Sequence, residues 1–317
     1  MTDSTIQWPK KTKEMESHHF DSTVWNDFKF RDDDIVIATY GKSGTTWTQQ
    51  IISQLIFQGD TTLDVAGISP WVDLRVPPKP IQLAILEEQK HRRFVKTHLP
   101  VDALVFSPQA KYLYVVRDGR DVAWSLFHHH MNANAEWYAA LNDTPGLVGP
   151  KIGKPVSEDP VEYYKSWFDN DGAPFWSFWE HMKSWWAIRD LPNVKFVHFN
   201  DLKKDLSGQM REISEFLEIP INEDKFDEMV EHCTFDYMKK HASQMSPLGG
   251  ALWNGGGATF INKGTNGRWA DLLSDEDCQA YEKKAVEELG EECAEYLKNG
   301  SLASVVPQPM TDSSLQQ

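Results

Sequence analysis

The chain has 317 residues, a hydrophobic content of 40% and a formal net charge of −15. Such a length fits one large α/β domain or two smaller ones, and the apolar content is enough for a sizeable core. The acidic balance argues against general nucleic-acid or anionic-membrane binding, since both favour basic surfaces.

Three cysteines, Cys233, Cys278 and Cys293, give neither a disulfide framework nor metal-ligand spacing. Residues 1–19 are polar and charged, without the apolar stretch of a secretory signal. No run of 18 apolar residues occurs, so no membrane span is expected. A reducing, cytoplasmic location is the simplest expectation.

In chain order, residues 1–20 read as a flexible arm and 35–40 as a buried strand. A helix is predicted over 45–57, then a Pro- and Gly-rich surface loop over 58–80 that contains Trp71. Residues 81–90 read as a helix and 93–96 as a short strand. A third strand covers 112–116, and Asp118 caps a helix reaching about Phe127. Residues 132–175 are too long for an ordinary connection and read as a lid or binding loop. A Trp-rich helix is predicted over 176–189, a strand over 194–199, and helices near 206–217 and 223–232. Residues 241–268 form a second Gly-rich loop with Trp253, residues 272–297 are amphipathic, and 300–317 read as a disordered tail. No internal repeat is visible.

Strands alternating with helices imply an α/β fold: a single domain (21–299) with a P-loop-like central parallel sheet and helices on both faces. Ligands of such folds bind at the carboxyl ends of the strands. Lys42, His98, Arg117 and Phe199 all fall at or just after a strand end.

The most informative segment is Ile35-Val-Ile-Ala-Thr-Tyr-Gly-Lys-Ser-Gly-Thr-Thr-Trp47. An apolar strand enters a turn with two glycines, one lysine and three hydroxyls, and a helical pattern follows. Backbone N–H groups and a helix N-terminus gathered this way hold phosphate. Lys42 adds a full charge; Ser43, Thr45 and Thr46 add donors. A nucleotide-triphosphate P-loop needs a glycine five residues before Gly41, and that position is Val36. The loop is therefore shorter. Asp118 could imitate the magnesium ligand of such a protein, but capping is its simpler role.

Three segments together resemble the soluble sulfotransferases that use 3′-phosphoadenosine 5′-phosphosulfate (PAPS). Thr39-Tyr-Gly-Lys-Ser-Gly-Thr-Thr-Trp47 is similar to that family's 5′-phosphosulfate loop. Val116-Arg-Asp-Gly-Arg-Asp-Val-Ala-Trp-Ser125 is similar to its 3′-phosphate segment, and Lys263-Gly-Thr-Asn-Gly-Arg-Trp269 to its C-terminal Gly-rich loop. Lys96-Thr-His98 stands where the family has its catalytic histidine. The likeness spans about residues 20–297.

The resemblance implies roles. Lys42 would contact the 5′-phosphate and the bridging oxygen, and Ser43, Gly44, Thr45 and Thr46 would supply loop donors. Trp47 would stack near the adenine, with Phe235, next to Thr234, on its other face. Arg117 and Ser125 would hold the 3′-phosphate, and Lys263 and Gly264 would close over it. His98 would be the general base, with Lys42 and Lys96 neutralising charge. The chain also departs from the family. Gly41 replaces a usual proline, Asn262 an arginine, Phe199 a tyrosine and Cys233 a threonine, and the short C-terminal dimerisation motif of animal members is not recognisable.

Loss of the arginine at 262 removes a forked phosphate clamp. Trp137, Tyr138 and Trp253, in the long loops, join Lys96 and His98 as candidates for the acceptor pocket. His128-His129-His130 makes a poor chelate, because neighbouring helical side chains diverge; an acceptor-pocket or solvated role is expected. The aromatic run 176–186 reads as core, and Lys239-Lys240 as a solvated face.

The expected activity is sulfuryl transfer to a hydroxyl of a small apolar phenol or alcohol, releasing adenosine 3′,5′-bisphosphate, with no metal and no nucleic-acid partner. Two rival readings are an ATP- and magnesium-dependent P-loop kinase and a non-catalytic nucleotide-binding scaffold. The sequence leaves the oligomeric state open.

Overall fold

The computed structural model describes residues 6–301. Its centre is a parallel sheet of four strands, β1 (Ile35–Thr39), β2 (Phe94–Thr97), β3 (Lys111–Val116) and β4 (Val194–His198). They lie in the order β2-β1-β3-β4. In register, Ile35 pairs with Phe94 on one side and Lys111 on the other, and Tyr112 pairs with Val194.

Side chains alternate across the sheet, so successive strand residues enter two different cores. Val36, Ala38, Val95, Tyr112, Tyr114 and Val116 face one core with helices Gly119–Asn132, Phe178–Trp186 and Asp275–Leu289. Ile35, Ile37, Phe94, Leu113, Val115 and Val197 face the other, with helices Thr45–Ile56, Leu206–Leu217 and Glu223–His232. Burial on both faces explains why β1 is a continuous apolar run rather than an alternating one.

The two long segments contain more structure than their composition suggests. Within 132–175 lie helices Ala135–Asp143 and Pro160–Asp169, capped by the side chains of Asn134 and Asp159. The second loop holds short helical turns, and a bridge between Ala133 and Trp253 joins the two segments. Together they bury a small apolar cluster of Ala133, Trp137, Leu141, Ile152 and Trp253.

The segment read as an arm lies against the body over its described part. The Thr12 and Lys13 N–H groups donate to the Asp102 carbonyl, and His18, His19 and Phe20 are buried. Arg75 clasps it to the lid: its guanidinium donates to the carbonyls of His18, Leu141, Thr144 and Pro145. Three of those carbonyls, of Leu141, Thr144 and Pro145, end or follow the helix Ala135–Asp143, where a cation suits the negative pole of the helix. Of the expected tail, 302–317 lie outside the described residues.

Candidate active site

Each strand delivers one functional side chain at its carboxyl end. Lys42 follows β1, His98 follows β2, Arg117 follows β3 and Phe199 follows β4. After β1 the backbone turns left-handed at Lys42 (φ 68°) and Gly44 (φ 116°). Gly44 is required there: an added Cβ would lie 3.0 Å from the Phe199 ring, in a backbone region L side chains avoid. The helix Thr45–Ile56 starts at once, so the free N–H groups of its first turn face the sheet edge. Thr45 and Thr39 bond through their hydroxyls at 2.7 Å.

Arg117 ties two of the family-like segments together. Its guanidinium donates to the Lys42 carbonyl at 3.1 Å, to the Thr265 carbonyl at 3.1 Å and to Asn266 Oδ1 at 2.9 Å. Its flat face rests 4.3 Å from the centre of the Phe199 ring. Phe199, which lacks the tyrosine hydroxyl, thus serves as an apolar floor, and it also meets Trp47 edge-on at 5.2 Å.

Trp47 Nε1 donates to the Cys233 carbonyl at 2.8 Å. That bond draws the 233–235 segment beside the turn. Thr234 caps the helix Phe235–Lys240, accepting from Tyr237 N–H and donating to the Glu231 carbonyl. Gly264 (φ 60°) lies directly on Phe235: a Cβ there would be 2.3 Å from the ring. Its carbonyl accepts from Lys203 Nζ at 2.8 Å. Lys263 is exposed, and Ser125 is half-buried on the helix Gly119–Asn132.

The sequence reading misassigned or missed several residues here. Lys239 is not simply solvated: its ammonium donates to the carbonyls of Ala258, Ile261 and Asn262, holding the loop before Lys263. Arg268 is a further cation beside the helix Gly119–Asn132, donating to His128 Nε2 at 3.2 Å and lying 5.2 Å over the Trp124 ring. Among the described residues neither Arg117 nor Arg268 is hydrogen-bonded to a carboxylate. Asp121 lies close enough to attract both, but its carboxylate fills no donor of either guanidinium, which leaves both able to take an anion.

Arg120 is different. Asp118 accepts from its backbone N–H and pairs with its guanidinium through both oxygens, at 2.7–3.0 Å. The Arg120 guanidinium is 3.7 Å from the centre of the Trp269 ring and 4.6 Å from that of Tyr281. Both groups are engaged with each other, and Asp118 serves as the helix cap that the sequence predicts.

His98 sits in an aromatic chamber beside these loops. Trp71 meets it edge-on at 4.5 Å and Trp176 lies 6.0 Å away. Trp176 therefore lines the site as well as the core. Trp71 is fixed by the loop 58–80, which bridges to Lys96, and by Asp73, which accepts from Trp71 Nε1 at 2.6 Å.

His98 Nδ1 is 2.7 Å from the Thr39 carbonyl. The Thr39 hydroxyl is also 2.9 Å from Nδ1, but it has Thr45 Oγ1 at 2.7 Å as a partner; a carbonyl only accepts, so the shorter contact assigns the proton to Nδ1 and the lone pair to Nε2. Among the described residues Nε2 has no hydrogen-bond partner. Burial pushes the His98 pKa down to about 3, with Lys96 and Lys42 adding to the effect, so the ring is neutral at neutral pH. Burial also lowers Lys42 to about 8, helped by Arg117 and Lys96, and Lys96 to about 8 against the opposing pull of Asp73.

The three consecutive histidines take three partners. His128 meets Arg268, His129 Nδ1 is 3.3 Å from Lys42 Nζ, and His130 Nδ1 is 3.3 Å from the Tyr163 hydroxyl. Among the described residues no group of three or more His, Cys, Asp or Glu is arranged to hold a metal ion. Trp137 and Trp253 pack on His129 at 5.7 and 5.1 Å, and the Tyr138 hydroxyl donates to the His130 carbonyl. The lid aromatics therefore reach the Lys42 side of the chamber.

Known proteins match this arrangement. The sulfotransferase domain family matches residues 32–291. A glycolipid sulfotransferase of Mycobacterium tuberculosis is 30% identical over 283 residues, covering 82% of this chain and 86% of that protein. Human sulfotransferase 1E1 is 30% identical over 250 residues, covering 76% and 79%. Among solved structures, mouse sulfotransferase SULT7A1 complexed with PAP has a TM-score of 0.66 at 23% identity, covering 87% of this chain and 91% of its own. Retinol dehydratase in complex with androsterone and PAP has a TM-score of 0.64 at 24% identity, covering 85% and 84%. The chain belongs to the sulfotransferase family and has its single-domain α/β fold. It is a sulfotransferase.

Proposed function

We propose that the chain moves a sulfuryl group from PAPS to the hydroxyl of a small, largely apolar acceptor, with His98 as general base. The observation that carries this reading is the pinned tautomer of His98. Its Nδ1–H is held by Thr39, and its open Nε2 lies at the same sheet edge as Lys42 and Arg117.

The donor, when bound, supplies an activated sulfuryl group. The chain's own residues do the rest. The turn 41–46 and Lys42 hold the 5′ end. Arg117, Ser125, Lys263 and Arg268 hold the 3′-phosphate, and Gly264 lets the loop close against Phe235. Trp47 and Phe235 flank the base. A neutral imidazole takes the acceptor's hydroxyl proton at Nε2 as the new S–O bond forms and the bond to the 5′-phosphate breaks. Lys42 and Lys96 offset the charge that builds on the leaving oxygen, the dominant need in a loose transition state.

The residues fit the donor: two arginines not hydrogen-bonded to a carboxylate and a glycine pressed on an aromatic ring suit a doubly phosphorylated nucleoside. Solved relatives bound to PAP support the same donor, and two of them carry the small hydroxyl-bearing molecules androsterone and retinol. The described residues include no helix long and apolar enough to cross a membrane, which fits the cytoplasmic location proposed here.

The test is incubation with 35S-labelled PAPS and a panel of phenols and alcohols, with and without EDTA. Labelled sulfate ester formed in EDTA supports the reading. Turnover that requires ATP and magnesium, or nucleotide binding with no transfer, overturns it.

A further inference from the structure

The acceptor side of His98 carries buried imidazoles that the transfer step does not use. His19 and His130 flank the Phe175 ring at 4.9 and 5.1 Å, His130 nearly parallel to it (10°). Trp71 connects them to the reacting end, meeting His98 at 4.5 Å and His19 at 6.1 Å. Trp137 closes the far side, 5.5 Å from His19 and 5.6 Å from His130. His130 is 1% exposed and His19 5%. His19 Nδ1 and His130 Nε2 are buried and have no hydrogen-bond partner among the described residues. A buried polar atom left unpaired is costly, so two in one aromatic cage call for a partner.

We infer that His19 and His130 recognise a second, uncharged hydrogen-bonding group on the acceptor, such as a ketone or hydroxyl, across a flat apolar body from the hydroxyl at His98. This inference rests on the transferase reading above. The aromatic walls set the flat, apolar body. Charge excludes the ionic alternatives. Lys42, Lys96 and Arg75 repel a cationic group. A carboxylate finds no forked cation at this end, because four carbonyls take the terminal nitrogens of Arg75 and leave only its buried Nε–H. Both rings are neutral, held low by burial and by neighbouring histidines and cations, so the unpaired nitrogen of each can donate or accept according to its tautomer. The segment bearing His19 comes from the anchored N-terminal stretch, and the segment bearing His130 from the helix of the 3′-phosphate site.

The test compares matched acceptors, 6-acetyl-2-naphthol and 6-isopropyl-2-naphthol, on the full chain and on His19→Phe and His130→Phe. Phenylalanine keeps the ring and removes the nitrogens. The full chain should favour the acetyl compound by tenfold or more in kcat/KM, mainly through KM, since a site built for a hydrogen bond rejects an analogue without one. Each variant should reduce that ratio to about twofold or less, on the scale of one lost hydrogen bond. Comparing ratios cancels the different acidities of the two naphthols. Binding of adenosine 3′,5′-bisphosphate checks that each variant is folded. A full chain without the preference, or a folded variant that retains it, overturns the inference. Failure of the full chain to sulfate either naphthol or any member of the wider panel overturns the transferase reading instead.

Discussion

Replacing Gly264 with Ala isolates the close approach on which the nucleotide site depends. An alanine Cβ would stand 2.3, 2.8 and 3.0 Å from three atoms of the Phe235 ring, on a backbone with φ 60°. Gly267, three residues on in the same loop, has φ 77° but nothing within 4 Å of its Cβ position. Gly267→Ala therefore carries only the left-handed strain, roughly 1–2 kcal/mol. Gly264→Ala carries the same strain plus an overpacking cost of roughly 1–3 kcal/mol. The loop or the ring must yield, and both belong to the proposed nucleotide site. About 1.4 kcal/mol is tenfold in affinity. Titration calorimetry with adenosine 3′,5′-bisphosphate should show a loss of about tenfold for Gly267→Ala and about 100-fold or more for Gly264→Ala. Equal losses, or wild-type affinity in Gly264→Ala, would refute the reasoning.

Three further outcomes are expected. Arg268→Gln should weaken adenosine 3′,5′-bisphosphate by about tenfold or more, a loss on the scale of one charge-assisted hydrogen bond, while leaving adenosine 5′-phosphate nearly unchanged, because only the former carries the 3′-phosphate. Parallel titrations check this, and equal effects on the two ligands would contradict it. The pH profile of kcat/KM should show no histidine step between pH 5 and 7, since His98 is pushed down to about 3 and is already a free base there. It should fall as pH rises through about 8, where Lys42 and Lys96, both depressed by burial, lose their charge. Asp118→Ala removes a helix cap and leaves the buried Arg120 with only Glu282, 3.3 Å away, so denaturant unfolding should show a loss of about 2–3 kcal/mol, below that of a wholly unpaired buried charge.

Local features of the sequence are enough to place the sheet and the tight turn at Lys42. Short apolar runs mark the strands, and each run leads into a chemically useful residue. The helices within 132–175 were less visible because polar and Gly-Pro-rich ends dilute the apolar pattern. Their start signals were present: Asn134 as a cap, and Asp159 followed by Pro160 at the first helical position. What the sequence does not carry is non-local contact. Lys239 resembles any surface lysine until the fold aims it at three loop carbonyls. His18 and His19 lie in a polar stretch and read as an arm, yet His19 packs on Trp137 and Phe175. Arg268 carries no local signal of its own, since the family likeness points to position 262, where this chain has Asn262.

The central claim is that an imidazole pinned by Thr39 accepts the acceptor's proton beside a site for a doubly phosphorylated adenosine. Single-turnover transfer from 35S-labelled PAPS by His98→Asn, measured together with its affinity for adenosine 3′,5′-bisphosphate, addresses that claim most directly. The account predicts transfer reduced by at least about 100-fold, the lower end of general-base contributions, with nucleotide affinity within about threefold of the parent, since the imidazole is placed on the acceptor side. Transfer at a near-parental rate, or nucleotide affinity lost together with transfer, would contradict it.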